Sequence, residues 1–265
     1  MPRHVTAFSN TTVKRLRSLR DKKARREERL FLAEGLRILA EARDSGSLPE
    51  IIAFSAEGAR HPLAAEIIAA TEAAGGEAIE TSADILAKMS GKDNPQMLLG
   101  AYRQPPTDLE RIDRAASPLW IVAQALRDPG NIGTILRTGD AVGAGGLILV
   151  DDSADPYSVE AVRASMGAVF TQAIAHARWP EFVAWLRSGD GQLVGTSLNA
   201  TRDYLDADYR RPCFLLIGNE QQGLPADYEA ECDLLVKIPM AGRADSLNAA
   251  VAAAVMAFQL RASWR

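Results

Sequence analysis

The second half of this chain contains four short apolar runs without polar alternation, at residues 119–123, 146–150, 191–195 and 213–217. A strand with one face in water alternates apolar and polar side chains, whereas an unbroken run requires cover on both faces, as in a parallel sheet between two layers of helices. Helix-period segments separate the runs, at 132–142, 158–166 and 181–187. A further apolar segment, 234–238, precedes an alanine-rich stretch that predicts a long final helix over 246–263. The pattern is that of a doubly wound α/β domain, in which ligands sit beyond the carboxyl ends of the strands.

The first half reads as a smaller α/β sandwich. Val13, Leu16 and Leu19 form one apolar stripe on a short helix over 13–20, and residues 31–42 predict a second amphipathic helix closed by Ser45 and Gly46. Strands over 50–54, 77–80 and 97–102 then alternate with helices over 61–74 and 82–88. The run Gln104-Pro105-Pro106-Thr107-Asp108 breaks both periodicities. This divides the chain into a domain over 1–104, a linker over 105–117 and a domain over 118–265.

The net charge of -4 conceals an uneven distribution. Residues 1–29 hold ten Lys and Arg against three acids, so the remainder of the chain carries eleven excess negative charges. Such an arm suits a polyanion, because phosphate contacts supply the sequence-independent part of nucleic-acid binding. Lys14, Arg15, Lys22, Lys23, Arg25 and Arg26 are its candidate RNA contacts; a solvated helix face, an acidic protein partner or lipid headgroups would use the same residues. Cys213 and Cys232 have no partner at metal-ligand spacing and read as buried apolar residues. His4, His61 and His176 fall outside the candidate loops, so neither a metal site nor a histidine triad is expected. No apolar stretch is long enough to span a bilayer, and a cytoplasmic location is expected.

Three loops at strand ends are richer in Gly, Pro, Asn and acids than turning alone requires. The first is Asp128-Pro-Gly-Asn131-Ile-Gly133-Thr-Ile-Leu-Arg137, with Asn131 placed as a helix cap. The second is Gly218-Asn219-Glu220-Gln-Gln-Gly223-Leu-Pro225, and the third runs from Ile238-Pro-Met to Gly242 and on to Asp245-Ser246-Leu247-Asn248. Neither a phosphate-binding P-loop nor a dinucleotide fingerprint is present; Gly143-Ala-Gly-Gly146 precedes a strand and reads as a helix end.

In order and spacing, Asn131-x-Gly133-x-x-x-Arg137, Gly218-Asn-Glu220-x-x-Gly223-Leu-Pro and Ile238-Pro-Met-x-Gly242-x-x-x-Ser246-Leu-Asn248 resemble the three motifs of the SpoU/TrmH family of SPOUT RNA 2'-O-ribose methyltransferases, over residues 118–262. The resemblance implies a trefoil-knotted, Rossmann-like parallel-sheet domain, S-adenosylmethionine as cofactor and a homodimer. It implies cofactor contacts, mostly through backbone, at Gly218, Ile238 and Leu247, and a catalytic pocket lined by Asn131, Arg137, Glu220, Ser246 and Asn248. The family's arginine has been given the role of general base; because arginine keeps its proton in proteins, stabilising the developing alkoxide is the better role for Arg137. Glu220 reads equally as an acceptor for loop amides or for Arg137. Asn10 to Gly35, with Lys22-Lys23 and Phe31-x-x-Glu34-Gly35, resembles the opening of the ribosomal-protein-like RNA-binding domain found in many members. Ribosomal RNA is the preferred substrate on that two-domain arrangement, with transfer RNA, or a non-catalytic RNA-binding or assembly role, as the alternatives.

Overall fold

A computed structural model describes residues 2–219 and 221–264. The chain forms two compact units. One holds the chain up to Pro105 together with Asp155–Thr171, and the other holds Pro106–Ala154 and the chain from Gln172 onward.

The first unit is built on strands β1 (Arg3–Val5), β2 (Leu30–Glu34), β3 (Ile51–Ser55), β4 (Glu77–Thr81) and β5 (Leu98–Arg103), in the order β1-β4-β3-β5-β2. The sheet is mixed: β1 and β3 run parallel to β4, while β5 is antiparallel to both β3 and β2. Helices α1 (Thr11–Ser18), α2 (Lys22–Glu28), α3 (Leu36–Asp44), α4 (Pro62–Ala73) and α5 (Ala83–Ser90) belong to the same unit. Val13, Leu16 and Leu19, the stripe read from the sequence, are buried in a core with Leu30, Ile51, Ile79 and Leu86.

One expectation fails here. Residues 31–42 are not a single helix: Leu30–Glu34 pair with β5 as an edge strand, and α3 begins only at Leu36. The break is Gly35, whose φ of 102° lies in the region that side chains avoid. All four residues Leu30–Ala33 are buried, so this stretch has no polar face for a helix to present.

The second unit carries β6 (Leu119–Gln124), α6 (Pro129–Val142) and β7 (Gly146–Val150). The chain then leaves it for the segment of the first unit that contains α7 (Val159–Ser165). It returns as β8 (Ala173–Ala177), α8 (Trp179–Arg187), β9 (Gln192–Thr196), β10 (Arg202–Asp203), β11 (Cys213–Ile217), α9 (Ala226–Glu231), β12 (Leu234–Lys237) and α10 (Ala249–Ser263). The seven strands lie in the order β10-β12-β9-β11-β6-β7-β8, and every pairing is parallel. All residues of β6, β7 and β11 are buried, which accounts for the missing alternation in their sequences. Strand β8 had no clear sequence signal; it is an edge strand with only Ile174 and Ala175 buried. Gly143 ends α6 in a left-handed cap and Gly146 opens β7, as read from the glycine cluster.

Candidate active site

Succession along the sheet reverses between β6 and β11: chain order runs one way through β7 and β8, and the later strands lie on the other side. Loops leaving two adjacent parallel strands in opposite directions open a crevice at their carboxyl ends. The three candidate loops follow β6, β11 and β12.

The loop after β11 is a tight reversal. Asn219 and Gly223 exchange backbone hydrogen bonds at 3.2 and 3.0 Å, and Gly223 has a φ of 68°. Gly218 sits where this reversal folds back on itself. A Cβ there would lie 2.4 Å from the carbonyl carbon of Gly223 and 2.6 Å from the amide nitrogen of Leu224, overlaps with backbone that no rotamer relieves. The side chain of Asn219 accepts from the Gln221 amide and donates 2.8 Å to the carbonyl of Ala125, joining this loop to the one after β6. Asn219 lies within the second motif, where nothing in the sequence marks it as the tie between the two loops.

In the loop after β6, Asp128 caps α6 by accepting from the Gly130 amide at 2.8 Å. Asn131, expected as the cap, lies instead inside the first turn and is 7% exposed. Its Oδ1 accepts from Asn248 Nδ2 at 3.0 Å. Asn248 is itself the cap of α10, accepting from the amides of Ala250 and Val251. The final helix therefore starts at Ala249, later than the sequence suggested, and Ser246 and Leu247 remain in the loop.

A cleft of about 400 Å³ opens over the carboxyl ends of β9, β11 and β12. Gly218, Ile238, Ser246 and Leu247 all line it. Asn131 and Asn248 do not line it but tie α6 to the start of α10. Arg137 stands outside, exposed on α6. Glu220 lies outside the described residues. Ser197, Glu229 and Lys237 also line the cleft and were not anticipated. The Ser197 hydroxyl donates to the Glu229 carboxylate, and Ser197 Oγ accepts from the Asn199 amide. The signal for Ser197 was its position in a polar turn directly after the buried strand β9; Glu229 had none, since it comes from the short helix α9. Beneath, Cys232 packs so close to Gly195 that a Cβ on the glycine would fall 2.6 Å from its Sγ. Burial first, then the neighbouring acids led by Asp233, pushes the Cys232 thiol up to about 12, so it stays neutral and takes no nucleophilic role.

The basic arm divides in two. Lys14, Arg15, Lys22, Lys23 and Arg26 are exposed, with Arg15 also paired to Glu28 at 2.7 Å. Arg25 is not available to a phosphate. Its side chain is 4% exposed, and the guanidinium meets Asp155 at 2.6 Å and donates to the carbonyls of Leu19 and Arg20.

Residues 118–258 match the SpoU rRNA Methylase family and residues 10–100 match the MRM3-like substrate binding domain. The 23S rRNA (uridine(2479)-2'-O)-methyltransferase of Streptomyces viridochromogenes is 34% identical over 91% of this chain and 84% of its own length. The 23S rRNA (guanosine(2553)-2'-O)-methyltransferase RlmP of Bacillus subtilis is 29% identical over 98% and 99%. Among solved structures, the AdoMet-bound rRNA methyltransferase from Sinorhizobium meliloti superposes with a TM-score of 0.91 at 40% identity, over 98% of this chain and 97% of that one. Two parts that each match a known domain, and full-length relatives that share both, settle the assignment: the chain belongs to the SpoU rRNA methylase family.

Proposed function

We propose that this protein transfers the methyl group of S-adenosylmethionine to a ribose 2'-hydroxyl of ribosomal RNA. The observation that carries the reading is the cleft at the strand ends, whose shape depends on Gly218 and whose walls combine apolar Ile217, Ile238 and Leu247 with the hydroxyl, carboxylate and ammonium of Ser197, Glu229 and Lys237. That donor set fits a cofactor having an adenine, ribose hydroxyls and an amino acid end. Gly218, Ile238 and Leu247 would hold it, Gly218 through the close backbone approach that its missing side chain permits. Bound there, the cofactor supplies an electrophilic methyl on a sulfonium.

The protein's remaining task is to hold the 2'-oxygen in line with that methyl. The Asn131–Asn248 hydrogen bond fixes the start of α10, and with it Ser246 and Leu247. Arg137, exposed and positive, offers its guanidinium to the developing alkoxide and a neighbouring phosphate. Full-length relatives with 23S rRNA in their names favour ribosomal RNA. A structure concerned with C/U34 methylation on tRNA covers only 56% of this chain, at a TM-score of 0.51.

We also infer a homodimer and a trefoil knot. Val251 and Phe258, one helical face apart by two turns, leave α10 48% and 57% exposed at those positions, an apolar face that a second copy would cover. The knot is supported by the sheet order, in which β11 enters between β6 and β9 after both. Among the described residues no helix is long and apolar enough to cross a membrane; the cytoplasm suits an rRNA-modifying enzyme.

Labelled methyl transfer from S-adenosylmethionine to unmethylated ribosomal RNA tests the reading. Arg137→Ala is expected to lower kcat by about 100-fold or more while RNA affinity stays within a few-fold; full turnover in the variant would remove Arg137 from the mechanism. Replacing Lys22, Lys23 and Arg26 together with alanine is expected to flatten the slope of log affinity against log salt by about 2 to 3 and to leave cofactor affinity alone. An unchanged slope would make this part of the arm a solvated face. Asn248→Ala is expected to cost about 0.5–2 kcal/mol in thermal unfolding through loss of the cap, whereas Asn248→Asp keeps the cap, removes the donor to Asn131, and should recover stability without recovering turnover.

A further inference from the structure

The first unit holds a cavity of about 300 Å³ that none of the residues assigned above enters. Its walls come from the end of β2, the start of α3, the loop between α5 and β5, and α7. The interior is apolar: Leu32, Ile38, Leu99 and Val162 are each no more than 5% exposed. Three cations, Arg37, Lys92 and Arg163, share the lining with one acid, Glu34. The Glu34 side chain is 7% exposed, holds the Lys92 ammonium and accepts from the Gln96 amide at 2.8 Å, so its charge is already met within the protein. Among the described residues neither Arg37 nor Arg163 has an acidic partner, and both are exposed.

Unpaired positive charge at the mouth of an apolar hole suits a phosphate attached to something flat and poorly hydrated. The volume is at the lower end of the roughly 300–1,000 Å³ of ligand pockets, enough for one nucleotide. Which nucleotide-bearing molecule it takes follows from the surroundings. The guanidinium of Arg20 lies against Gly91, where a Cβ would be 2.2 Å from Arg20 Cζ, and Gly91 adjoins Lys92. The positive face that begins with Lys14 and Arg17 therefore continues to the rim of the cavity. A free nucleotide needs no such track, whereas a polynucleotide follows one.

We propose that this cavity receives one unpaired nucleotide of the RNA substrate, its base against the apolar walls and its flanking phosphates on Arg37 and Arg163. The inference rests on the RNA-methyltransferase reading and adds to it a second contact, which selects a single-stranded loop or bulge over continuous duplex. The test uses the full chain and an unmodified 23S rRNA transcript. Arg37→Ala/Arg163→Ala should bind it about tenfold more weakly, with a salt slope flatter by about 1.4, and should bind S-adenosylmethionine as the unaltered protein does. Photocrosslinking with 4-thiouridine in the transcript should label peptides from residues 32–38 or 159–166. If the alanine pair fails to fold, Arg37→Gln/Arg163→Gln keeps most of each stem and asks the same question. Unchanged affinity and slope with methyl transfer retained would overturn the cavity proposal and leave the enzyme reading standing; an unaltered protein that binds no RNA would overturn both.

Discussion

Gly218→Val is expected to abolish cofactor binding, raising the dissociation constant for S-adenosylmethionine by about 100-fold or more, equivalent to roughly 2.7 kcal/mol. Any Cβ at this position meets the backbone of Gly223 and Leu224 at 2.4 to 2.7 Å, so the reversal between Asn219 and Gly223 must open to accommodate it. That reversal forms one wall of the cleft, and through Asn219 it also holds the Ala125 carbonyl. The damage is local, because the loop lies outside the buried run of β11, and overpacking a site costs about 1–3 kcal/mol. Calorimetric titration with the cofactor, alongside thermal unfolding, separates the two effects. Binding retained at full strength would mean that Gly218 is not part of the cofactor site.

Arg25→Ala should be the most destabilising change in the basic arm, by about 3–5 kcal/mol. Removing the guanidinium takes both donors from Oδ2 of Asp155, whose side chain is 14% exposed and keeps the Tyr157 amide on Oδ1, and leaves the carbonyls of Leu19 and Arg20 without their donor. Chemical denaturation measures the loss. Asp155→Ala in the same background should cost much less than it does alone, since the two side chains act as a pair. The salt dependence of RNA binding by the folded fraction should not change, in contrast to the triple replacement of Lys22, Lys23 and Arg26. A stable Arg25→Ala protein with a flattened salt slope would return Arg25 to the RNA-binding surface.

Arg25 also shows what a sequence conceals. Ten basic residues in a short arm announce a polyanion partner, yet charge says nothing about which guanidinium turns inward. The partner of Arg25 stands 130 positions away in the segment around α7. The same limit misplaced the helix over 31–42: Phe31, Ile38 and Leu39 satisfy a helical period, and only the backbone shows that Gly35 turns the chain from strand to helix. By contrast, the parallel sheet was legible because β6, β7 and β11 are covered on both faces and their sequences carry no alternation.

The cleft was legible in the same uneven way. Gly218, Ile238, Ser246 and Leu247 sit in loops whose glycine and proline content marks them, and the structure brings all four to one place. Asn131 was visible in the motif but not its use, since Asp128 caps α6 and the Asn131 side chain accepts from Asn248. Glu229 lies on a six-residue helix with no motif around it, and only the fold carries it to the cleft wall.

The atom expected to accept the methyl group is a ribose oxygen. Unmethylated ribosomal RNA incubated with the purified protein and S-adenosylmethionine, digested to nucleosides and resolved by mass spectrometry, measures this directly. The expected result is a single 2'-O-methylated nucleoside, formed about 100-fold more slowly when Arg137→Ala replaces the unaltered protein; methyl groups found on bases, or no methylated nucleoside at all, would contradict it.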